Sequence, residues 1–419
     1  MTNSEKLNTL CQLGKWDAVD QTYGQGQMGL DNDDAKKGRR LGHPKEEDSQ
    51  GLLTKIWTLG EGTERDNCGW SNSSRKDLIE SIAKSGIFRS ATLRGTCVLL
   101  KTLYTNACSS DCAYCINSSH TRETYSYTPD ELARVFHQLH VRNIVQGLFL
   151  SSAMGRDPRT TMGEMINAIE ILRTKYSYKG YVHLKILPGS SRYHIQRAVH
   201  LANRVSLNVE EPSGSRLSEL STTKDYGIDI LRRQAWVKDL SSQLPSGQAT
   251  QFIVGATEET DWEIIGRMHK LYEEMWMRRI HYSAFEPIPD TKLQSRKAAP
   301  AWREHRLYQV DWLYRVYHYP IKEIKEALID DFLPNSDPKI AIARLFLEGP
   351  VEINEASGEE LLRVPGIGPI SARRILSLRN DGIRIHSGRQ LAEIGVVLPK
   401  AQPFIKVNGN RQATLKGWL

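Results

Sequence analysis

The sequence predicts an α/β fold, because short apolar runs alternate with amphipathic segments about six times between residues 97 and 285. Each run is almost continuously apolar, which is typical of parallel strands that are buried on both faces. The pattern fits either a barrel or a doubly wound sheet. The candidate strands are residues 97–103, 147–152, 181–187, 204–210, 250–255 and 280–285.

The segment between the first two candidate strands begins with a helix signal. Thr128 and Glu131 have the spacing of a capping box, and Pro129 occupies the first helical position. In barrels and in doubly wound sheets, functional side chains gather at the C-terminal ends of the parallel strands. Candidate functional residues are therefore those that directly follow a strand.

Composition places the chain among globular proteins. Its 419 residues suffice for a large core and a smaller second domain, with 39% apolar and 25% charged residues. No apolar stretch reaches the roughly 20 residues that cross a bilayer, and the start MTNSEKLNTL lacks the apolar core of a secretion signal. We therefore expect a cytoplasmic protein without membrane attachment. The net charge of +7 permits a polyanionic partner without requiring one.

Four segments are expected along the chain. Residues 1–70 form an N-terminal extension, in which residues 31–50 carry mixed charges with almost nothing to bury, as in a loop or a disordered linker. Residues 71–320 hold the alternation of strands and helices, and the segment 71–87 has the pattern of a capped helix. Residues 321–349 are expected to be a connecting helical segment, and residues 350–419 a separate helical domain.

Three of the six cysteines, Cys108, Cys112 and Cys115, directly follow the first candidate strand in the spacing C-x3-C-x2-C. In a reducing compartment, clustered thiolates indicate zinc, copper(I) or an iron–sulfur cluster. A closed structural site needs four ligands, so three cysteines leave one coordination position open for chemistry. A structural zinc site that recruits His120 is the alternative. The other cysteines are scattered and are expected to be core or incidental residues: Cys11, Cys68 and Cys97.

This spacing, with Tyr114 before the last cysteine, resembles the motif of radical S-adenosylmethionine (SAM) enzymes. The resemblance implies that the three cysteines hold a [4Fe-4S] cluster, whose fourth iron binds the amino and carboxylate groups of SAM. An injected electron then cleaves the sulfonium and yields a 5′-deoxyadenosyl radical. The resemblance also implies a partial (β/α)6 TIM-like barrel, contact of Tyr114 with the cofactor, and a low-potential electron donor such as a ferredoxin or flavodoxin.

The same resemblance assigns further residues to SAM. Ser151 and Ser152 occupy the place of the Gly-Gly-Glu-like turn that binds the methionine amino group, with backbone carbonyls making most of the contact. Asn208 and Glu210, in SLNVEEPS, are similar to the Asn-x-Asp that holds the ribose hydroxyls in biotin synthase-like members. Gly255, in FIVGATEETD, lies in the segment beside the adenine, where a glycine lets the backbone approach the ring.

Four other side chains are placed near the site with their roles open. Lys185, which we assign to the cofactor, and Arg204 are expected to face the barrel lumen and to bind an anion. That anion is the cofactor carboxylate, a substrate phosphate or the carboxylate of Glu210. Tyr282 and Phe285 either contact adenine or substrate or belong to the core.

The C-terminal segment NEASGEELLRVPGIGPISARRILSLR, residues 354–379, resembles a helix-hairpin-helix motif, whose hairpin reads Pro-Gly-Ile-Gly. Gly366 and Gly368 permit backbone conformations that leave main-chain N–H groups exposed at a helix N-terminus. Such a nest binds phosphate without reading bases. We assign Gly366, Ile367 and Gly368 to nucleic-acid binding.

Charge supports this assignment. Arg373 and Arg374 follow the hairpin, and residues 350–419 carry ten Lys or Arg against six Asp or Glu, which is +4 of the net charge of +7. A second, degenerate hairpin is expected at residues 387–405, where Gly395 is followed by two valines. A hairpin that mediates only helix packing or protein contact is the alternative.

A radical barrel followed by a helix-hairpin-helix domain resembles the radical SAM proteins assigned to DNA modification or repair, over about residues 70–405. The resemblance implies hydrogen abstraction from a nucleic acid, with DNA favoured over RNA. A radical enzyme acting on a protein or a small molecule, with the C-terminal domain for docking, is the second hypothesis. The third is a nucleic-acid adaptor in which the cluster is only structural.

Overall fold

The computed structural model describes residues 55, 58–60, 63, 86–92, 95–118 and 123–411. The charged linker, most of the N-terminal extension, residues 71–85 of the predicted capped helix and His120 lie outside the described residues. The chain divides into two compact units. The first extends to Glu259 and includes Lys270–Ala299, and the second comprises Thr260–His269 and the residues from Pro300 onward.

The first unit is built on a seven-stranded sheet in which the strands follow chain order. The first strand pairs antiparallel with the second, and all later neighbours are parallel, so the sheet curls as a half-barrel. The strands are β1 (Ile87–Thr92), β2 (Gly95–Leu103), β3 (Gly147–Ser151), β4 (Tyr181–Lys185), β5 (Arg204–Ser206), β6 (Gln248–Val254) and β7 (Arg279–Ala284).

The predicted α/β barrel is confirmed, since each of the six candidate strands coincides with one strand from β2 to β7. The antiparallel strand β1 was not predicted, because IFRSAT is short and mixes apolar with polar residues. The helices between the strands are α1 (Pro129–Val141), α2 (Pro158–Thr174), α3 (Arg192–Leu201), α4 (Gly214–Leu220), α5 (Arg232–Asp239) and α6 (Asp261–Met275), with a π-helical turn at Tyr226–Leu231.

Helix α1 begins as the sequence predicts. The side chain of Thr128 accepts a hydrogen bond from the backbone amide of Glu131, and the Glu131 carboxylate accepts one from the backbone amide of Thr128. Pro129 is the first residue of the helix. Parallel pairing brings the C-terminal ends of the strands to one edge of the sheet. Leu103 lies opposite Ser151 there, and Lys185 lies opposite Ser206.

The second unit is mainly helical. Its helices from Pro300 onward are α7 (Ala301–Tyr317), α8 (Ile321–Glu326), α9 (Pro338–Phe346), α10 (Gly358–Arg363), α11 (Pro369–Asn380), α12 (Gly388–Glu393) and α13 (Leu398–Ala401). Helices α10 and α12 both begin with a capping box, formed by Ser357 with Glu360 and by Ser387 with Gln390. Residues 358–401 therefore contain two helical hairpins in succession, in agreement with the predicted second, degenerate hairpin.

A small three-stranded sheet accompanies these helices, which the prediction of an all-α domain did not include. It consists of β8 (Val351–Glu352), β9 (Ile405–Val407) and β10 (Asn410–Arg411). Strands of two or three residues have too little hydrophobic periodicity to be recognised in a sequence. One core of buried side chains, including Leu361, Ile375 and Leu391, unites the sheet and both helical hairpins.

Within the described residues, every helix is too short or too polar to cross a bilayer.

Candidate functional site

The cysteine loop leaves the end of β2 alongside the segment that follows β3. The amide of Tyr104 donates to the carbonyl of Ser151 (2.8 Å), and the amide of Ala153 donates to the carbonyl of Thr105 (2.9 Å). Cys108 then forms an isolated parallel bridge with Gly155. The backbone of the Ser151–Ser152 segment therefore lies beside the chain that leads to the first cysteine.

All three thiols lie in this loop, and two of them act on the third. Burial raises the pKa of Cys115 to about 12, and the neighbouring Cys112 and, more weakly, Cys108 add to that shift. The amide of Cys115 donates to the carbonyl of Cys112 (3.1 Å), which fixes the tight turn between them. In the described part of the chain, no group of three or more His, Cys, Asp or Glu side chains is arranged to hold a metal ion. His120, which the zinc alternative would recruit, lies outside the described residues.

Lys224 brings a positive charge to the thiols. Its side chain is 8% exposed, and its ammonium group lies 3.8 Å from Oε1 of Glu210 and close enough to the Cys112 thiol for the two charges to interact. Burial alone lowers the pKa of Lys224, but Cys112 and Glu210 more than offset this, and the net shift is upward. The ammonium group also lies 6.0 Å from the centre of the Tyr114 ring.

Three predicted cofactor residues meet at this lysine. Asn208 donates to Oε2 of Glu210 at 3.4 Å, and the Tyr114 hydroxyl is close enough to the same carboxylate for the charge of Glu210 to act on it. Burial, then the negative charge of Glu210, raises the pKa of Tyr114 well above its usual value. Glu210 has a φ of 62°, a left-handed conformation that is uncommon for a non-glycine residue and that is often found at functional sites.

Asp111, inside the cysteine motif, ties the loop to residues 221–223. Its carboxylate accepts hydrogen bonds from the side chains of Ser221, Thr222 and Thr223 and from two backbone amides, at 2.6 to 3.3 Å. Burial is the largest single influence and raises the pKa of Asp111, but the hydrogen bonds together outweigh it and hold the pKa well below the usual range. Lys224 follows this anchored segment directly.

A second set of hydrogen bonds, which involves two carboxyl side chains, holds the backbone at Gly255. This glycine has a φ of 85°. The Gly255 amide donates to Oε1 of Glu259 (2.6 Å), and Oε2 of Glu259 lies 2.9 Å from the Thr257 hydroxyl. That hydroxyl also lies 3.1 Å from Oε2 of Glu211, which is fully buried. A threonine hydroxyl has one proton, so it can donate to one of these two carboxyls and must accept from the other.

The proton count indicates that Glu211 is protonated and donates to Thr257. Burial, and next the charge of Glu259, raises the pKa of Glu211 from 4.5 to about 9. The buried Oε1 atom of Glu211 has no hydrogen-bond partner among the described residues. That is less unfavourable for a neutral acid than for a carboxylate.

Replacement of Glu211 by glutamine is expected to flatten the dependence of stability on pH. Folded Glu211 keeps its proton up to about pH 9, whereas the unfolded side chain releases it above 4.5. The free energy of unfolding of the native protein therefore falls as the pH rises through this window, by up to ~1.4 kcal/mol per pH unit. The glutamine amide supplies the same donor to Thr257 without titrating. The urea midpoint of the cluster-free variant, relative to that of the cluster-free native protein, is therefore expected to increase as the pH rises.

Glu258→Gln is the matched control, because the Glu258 side chain is 84% exposed and its ion pair with Arg296 lies on the surface. It is expected to follow the native pH profile. A Glu211→Gln profile parallel to that of the native protein between pH 6 and 9 would contradict the protonated state of Glu211.

Lys185 and Asn208 line one small cavity. The other residues that line it are Phe149, Ser206, Thr250, Gln251 and His281. Arg204 takes no part in this cavity: its Nε donates to the carbonyl of Ser246 (3.1 Å) at the N-terminal end of β5. The expectation that Arg204 faces the site was wrong, because a residue at the start of a parallel strand lies at the edge opposite the chemistry.

The two aromatic residues differ in their surroundings. Tyr282 is fully buried and stacks on Phe252, with ring centres 5.9 Å apart. Phe285 packs with Leu220 and Tyr114 in an apolar cluster beside the cysteine loop. Phe285 therefore adjoins the candidate site.

The sequence interpretation missed two residues that organise the site, Asp111 and Lys224. Both were inconspicuous: Asp111 is one of the unspecified positions within the cysteine motif, and Lys224 lies in the loop STTKDYG, which carries no motif. Thr257 and Glu259 lie in the segment FIVGATEETD, in which the sequence interpretation assigned a role to Gly255 alone.

The donor set fits an iron–sulfur cluster and SAM. Three converging thiols are soft ligands for iron, and a buried ammonium group beside them offsets the negative charge of thiolates. Next to them, Asn208 and Glu210 present an amide and a carboxylate of the kind that binds hydroxyl groups, and the buried hydroxyl of Ser152 has no hydrogen-bond partner among the described residues.

In the second unit, the hairpin of α10 and α11 packs on the hairpin of α12 and α13. Gly366 has a φ of 81°, and a Cβ added there would overlap the carbonyl oxygen of Val397. The Val397 amide donates to the carbonyl of Gly366 (2.9 Å). Gly366 is therefore required by the close approach of the two hairpins, whereas Gly368, with a φ of −104°, is extended and begins α11.

Ile367 does not lie at the surface. Its side chain is 1% exposed in the core of the unit, and its carbonyl accepts a hydrogen bond from Nζ of Lys339 at 2.7 Å. The Ile367 side chain therefore anchors the turn to the core, and the assignment of the hairpin backbone to nucleic-acid binding stays a prediction. Arg373 and Arg374, one turn further, are exposed.

Comparison with known families matches two parts of the chain. Residues 102–271 match the radical SAM superfamily, and residues 348–402 match the helix-hairpin-helix motif. Among the curated proteins, none matches the chain.

Several solved structures are similar to the chain at low identity. The FeFe-hydrogenase maturase HydG from Carboxydothermus hydrogenoformans has a TM-score of 0.40 and 12% identity, over 74% of this chain and 65% of that one. Methylornithine synthase (PylB) has a TM-score of 0.39 and 12% identity, over 62% and 66%. The radical SAM methyltransferase TsrM from Kitasatospora setae, with cobalamin and a [4Fe-4S] cluster bound, has a TM-score of 0.37 and 10% identity, over 46% and 35%. The chain spans less than two thirds of the length of each.

Proposed function

We propose that the chain is a radical SAM enzyme that uses a [4Fe-4S] cluster and SAM and that its substrate is a nucleic acid, because residues 102–271 match the radical SAM superfamily. The reaction class is hydrogen abstraction in DNA modification or repair. The observation that carries the proposal is the presence, in one chain, of a radical SAM domain and a helix-hairpin-helix motif with exposed arginines.

The start of α11 supports phosphate binding. Gly368 at its N-cap has no side chain to satisfy the first amides of the helix, and Pro369 begins the first turn. Free amides at a helix N-terminus attract anions, and Arg373 and Arg374 add two exposed positive charges within the next turn. Such contacts bind the phosphate backbone of a nucleic acid without selecting a base sequence.

In the first unit, we assign Cys108, Cys112 and Cys115 to the cluster. When bound, the cluster and SAM supply a 5′-deoxyadenosyl radical. Ser151 and Ser152 serve the methionine end of SAM. The other residues that we assign to SAM are Tyr114, Lys185, Asn208, Glu210 and Gly255. The assignment is supported by the contact of Asn208 with Glu210, by the position of Tyr114 beside Lys224, and by Lys185 and Asn208 lining one cavity.

The chemistry places two demands on partners. A low-potential donor, of the ferredoxin or flavodoxin class, supplies the electron. If the target nucleotide is part of a duplex, it must leave the base stack, which costs a few kcal/mol and favours damaged or mismatched positions. A reactive carbon and its target C–H must then lie roughly 3–4 Å apart.

Combined substitution of Arg373 and Arg374 by glutamine is expected to weaken binding to DNA at least about tenfold at low salt. It is also expected to reduce the dependence of log K on log salt by up to about 2, because each lost phosphate contact removes close to one released counterion. Fluorescence anisotropy with a labelled duplex between 50 and 300 mM salt measures both quantities.

Arg344→Gln is the matched control, since Arg344 is an exposed arginine of α9 in the same unit but outside the helix-hairpin-helix motif. Far-UV circular dichroism establishes that the double variant is folded. Equal affinity and salt dependence in the double variant and the control would contradict nucleic-acid binding by this hairpin and would favour a docking domain for a protein partner.

A further inference from the structure

The loop of residues 221–224, Ser-Thr-Thr-Lys, is fastened to the cysteine motif at three points. Asp111 accepts hydrogen bonds from Ser221, Thr222 and Thr223, the closest at 2.6 Å. Oγ of Ser110 lies 2.9 Å from Oγ1 of Thr223. The last residue of the loop, Lys224, places its ammonium group 6.0 Å from the centre of the Tyr114 ring, inside the motif, and close enough to the Cys112 thiol for the two charges to interact. These polar contacts join residues that are more than 100 positions apart in the sequence.

We infer that Asp111 and Lys224 are positioning residues for the cluster: Asp111 fixes the loop 221–224, and the loop holds the charge of Lys224 against the thiolates to favour the reduced cluster. The inference rests on cluster ligation by the three cysteines. It does not depend on a nucleic-acid substrate.

The contact between Asp111 and the loop 221–224 has one acceptor group, the Asp111 carboxylate, and several donors. Its strength therefore depends on the negative charge of Asp111. Both backbone amides of Thr222 and Thr223 point at the carboxylate, together with three hydroxyls. Hydrogen bonds to a charged acceptor are stronger than neutral ones. An asparagine there would turn an NH2 group toward these donors, which would release the loop and with it the position of Lys224.

The charge of Lys224 acts on the cluster through a poorly hydrated environment. The lysine side chain is 8% exposed, and the carboxylate of Glu210 beside it is 11% exposed. Coulomb interactions between groups that are shielded from water are several times stronger than at the surface. Reduction transfers one electron from the external donor to the cluster, making it one unit more negative, and a fixed ammonium group at Cys112 stabilises that product more than the oxidised form.

A redox titration of the reconstituted full-length protein, followed by electron paramagnetic resonance without SAM or nucleic acid, tests the inference. Lys224→Met is expected to bind iron and sulfide near the native amount but to have a more negative midpoint potential. Lys224→Arg keeps the charge and is expected to restore the native potential. Asp111→Asn is expected to shift the potential in the same direction as Lys224→Met and to lose iron to a chelator several-fold faster than the native protein.

Lys175→Met is the control, because Lys175 is an exposed lysine of the same unit that pairs with Asp130, and it is expected to leave the potential unchanged. A native potential in a fully loaded Lys224→Met variant would overturn the inference. If Lys224→Met fails to load, Lys224→Arg decides: a native potential supports the role of the charge, and loss of the cluster in both variants overturns it. A native protein that binds no iron would refute the cysteine assignment together with this inference, whereas absence of DNA binding bears on the proposed substrate alone.

Discussion

Replacement of Cys112 by alanine is expected to abolish cluster binding and SAM cleavage. Cys112 is 5% exposed and lies between the other two cysteines of the motif, with Ser110 at 3.2 Å and Lys224 beside it. Two remaining thiolates cannot hold three irons of a cubane, so the loss is expected to be complete and not graded. Iron and sulfide content after anaerobic reconstitution, and 5′-deoxyadenosine formed after reduction with SAM, measure the two effects.

Cys97→Ala is the matched control. Cys97 lies within β2, partly buried, and burial raises the pKa of its thiol above the usual value, which disfavours the thiolate that metals require. This variant is expected to bind the native amount of iron. Retention of a SAM-responsive cluster by Cys112→Ala, or its loss in Cys97→Ala, would contradict the assignment of the three ligands.

Replacement of Gly366 by alanine is expected to destabilise the second unit by several kcal/mol. The φ of 81° already disfavours an L-residue by about 1–2 kcal/mol. In addition, the new Cβ would overlap the Val397 carbonyl and lie 3.2 Å from the amide nitrogen of Ala401, and neither backbone atom can move without separating the two hairpins. Hydrogen exchange of residues 350–411, compared with residues 147–285, measures this local loss of stability.

Gly382→Ala separates the two causes. Gly382 has a φ of 75°, but an added Cβ there would meet nothing within 4 Å. We expect it to cost about 1 kcal/mol, the backbone term alone. Equal losses of protection in the two variants would contradict the close packing of the hairpins. Because Gly366→Ala disturbs packing, the arginine variants are the sharper probe of phosphate binding.

The barrel could be predicted from the sequence because its signals are local. Each of β2 to β7 overlaps a short, mainly apolar run between amphipathic segments, and α1 carries its own cap at Thr128. The cysteine loop was equally visible, since its three ligands lie within eight residues. Strands β1 and β8 to β10 were missed because short mixed sequences carry no periodicity, and only pairing with a neighbour makes them strands.

The organisation of the site could not be predicted, because it depends on contacts between distant parts of the chain. Asp111 and Thr222 are 111 positions apart, and Glu211 and Thr257 are 46 apart. No spacing rule connects such residues. At the hairpin, the sequence motif includes Gly366. The reason that a glycine is required there is the carbonyl oxygen of Val397, which occupies the space of a Cβ atom and lies 31 positions away in the sequence.

The transfer of deuterium from a labelled nucleic acid into 5′-deoxyadenosine tests the central claim most directly. The reconstituted, reduced enzyme is incubated with SAM and with uniformly deuterated DNA or RNA, and the nucleoside product is analysed by mass spectrometry, with Cys112→Ala as the blank. The account predicts deuterated 5′-deoxyadenosine with DNA and none with the blank. Formation of 5′-deoxyadenosine that carries no deuterium with either polymer would contradict it.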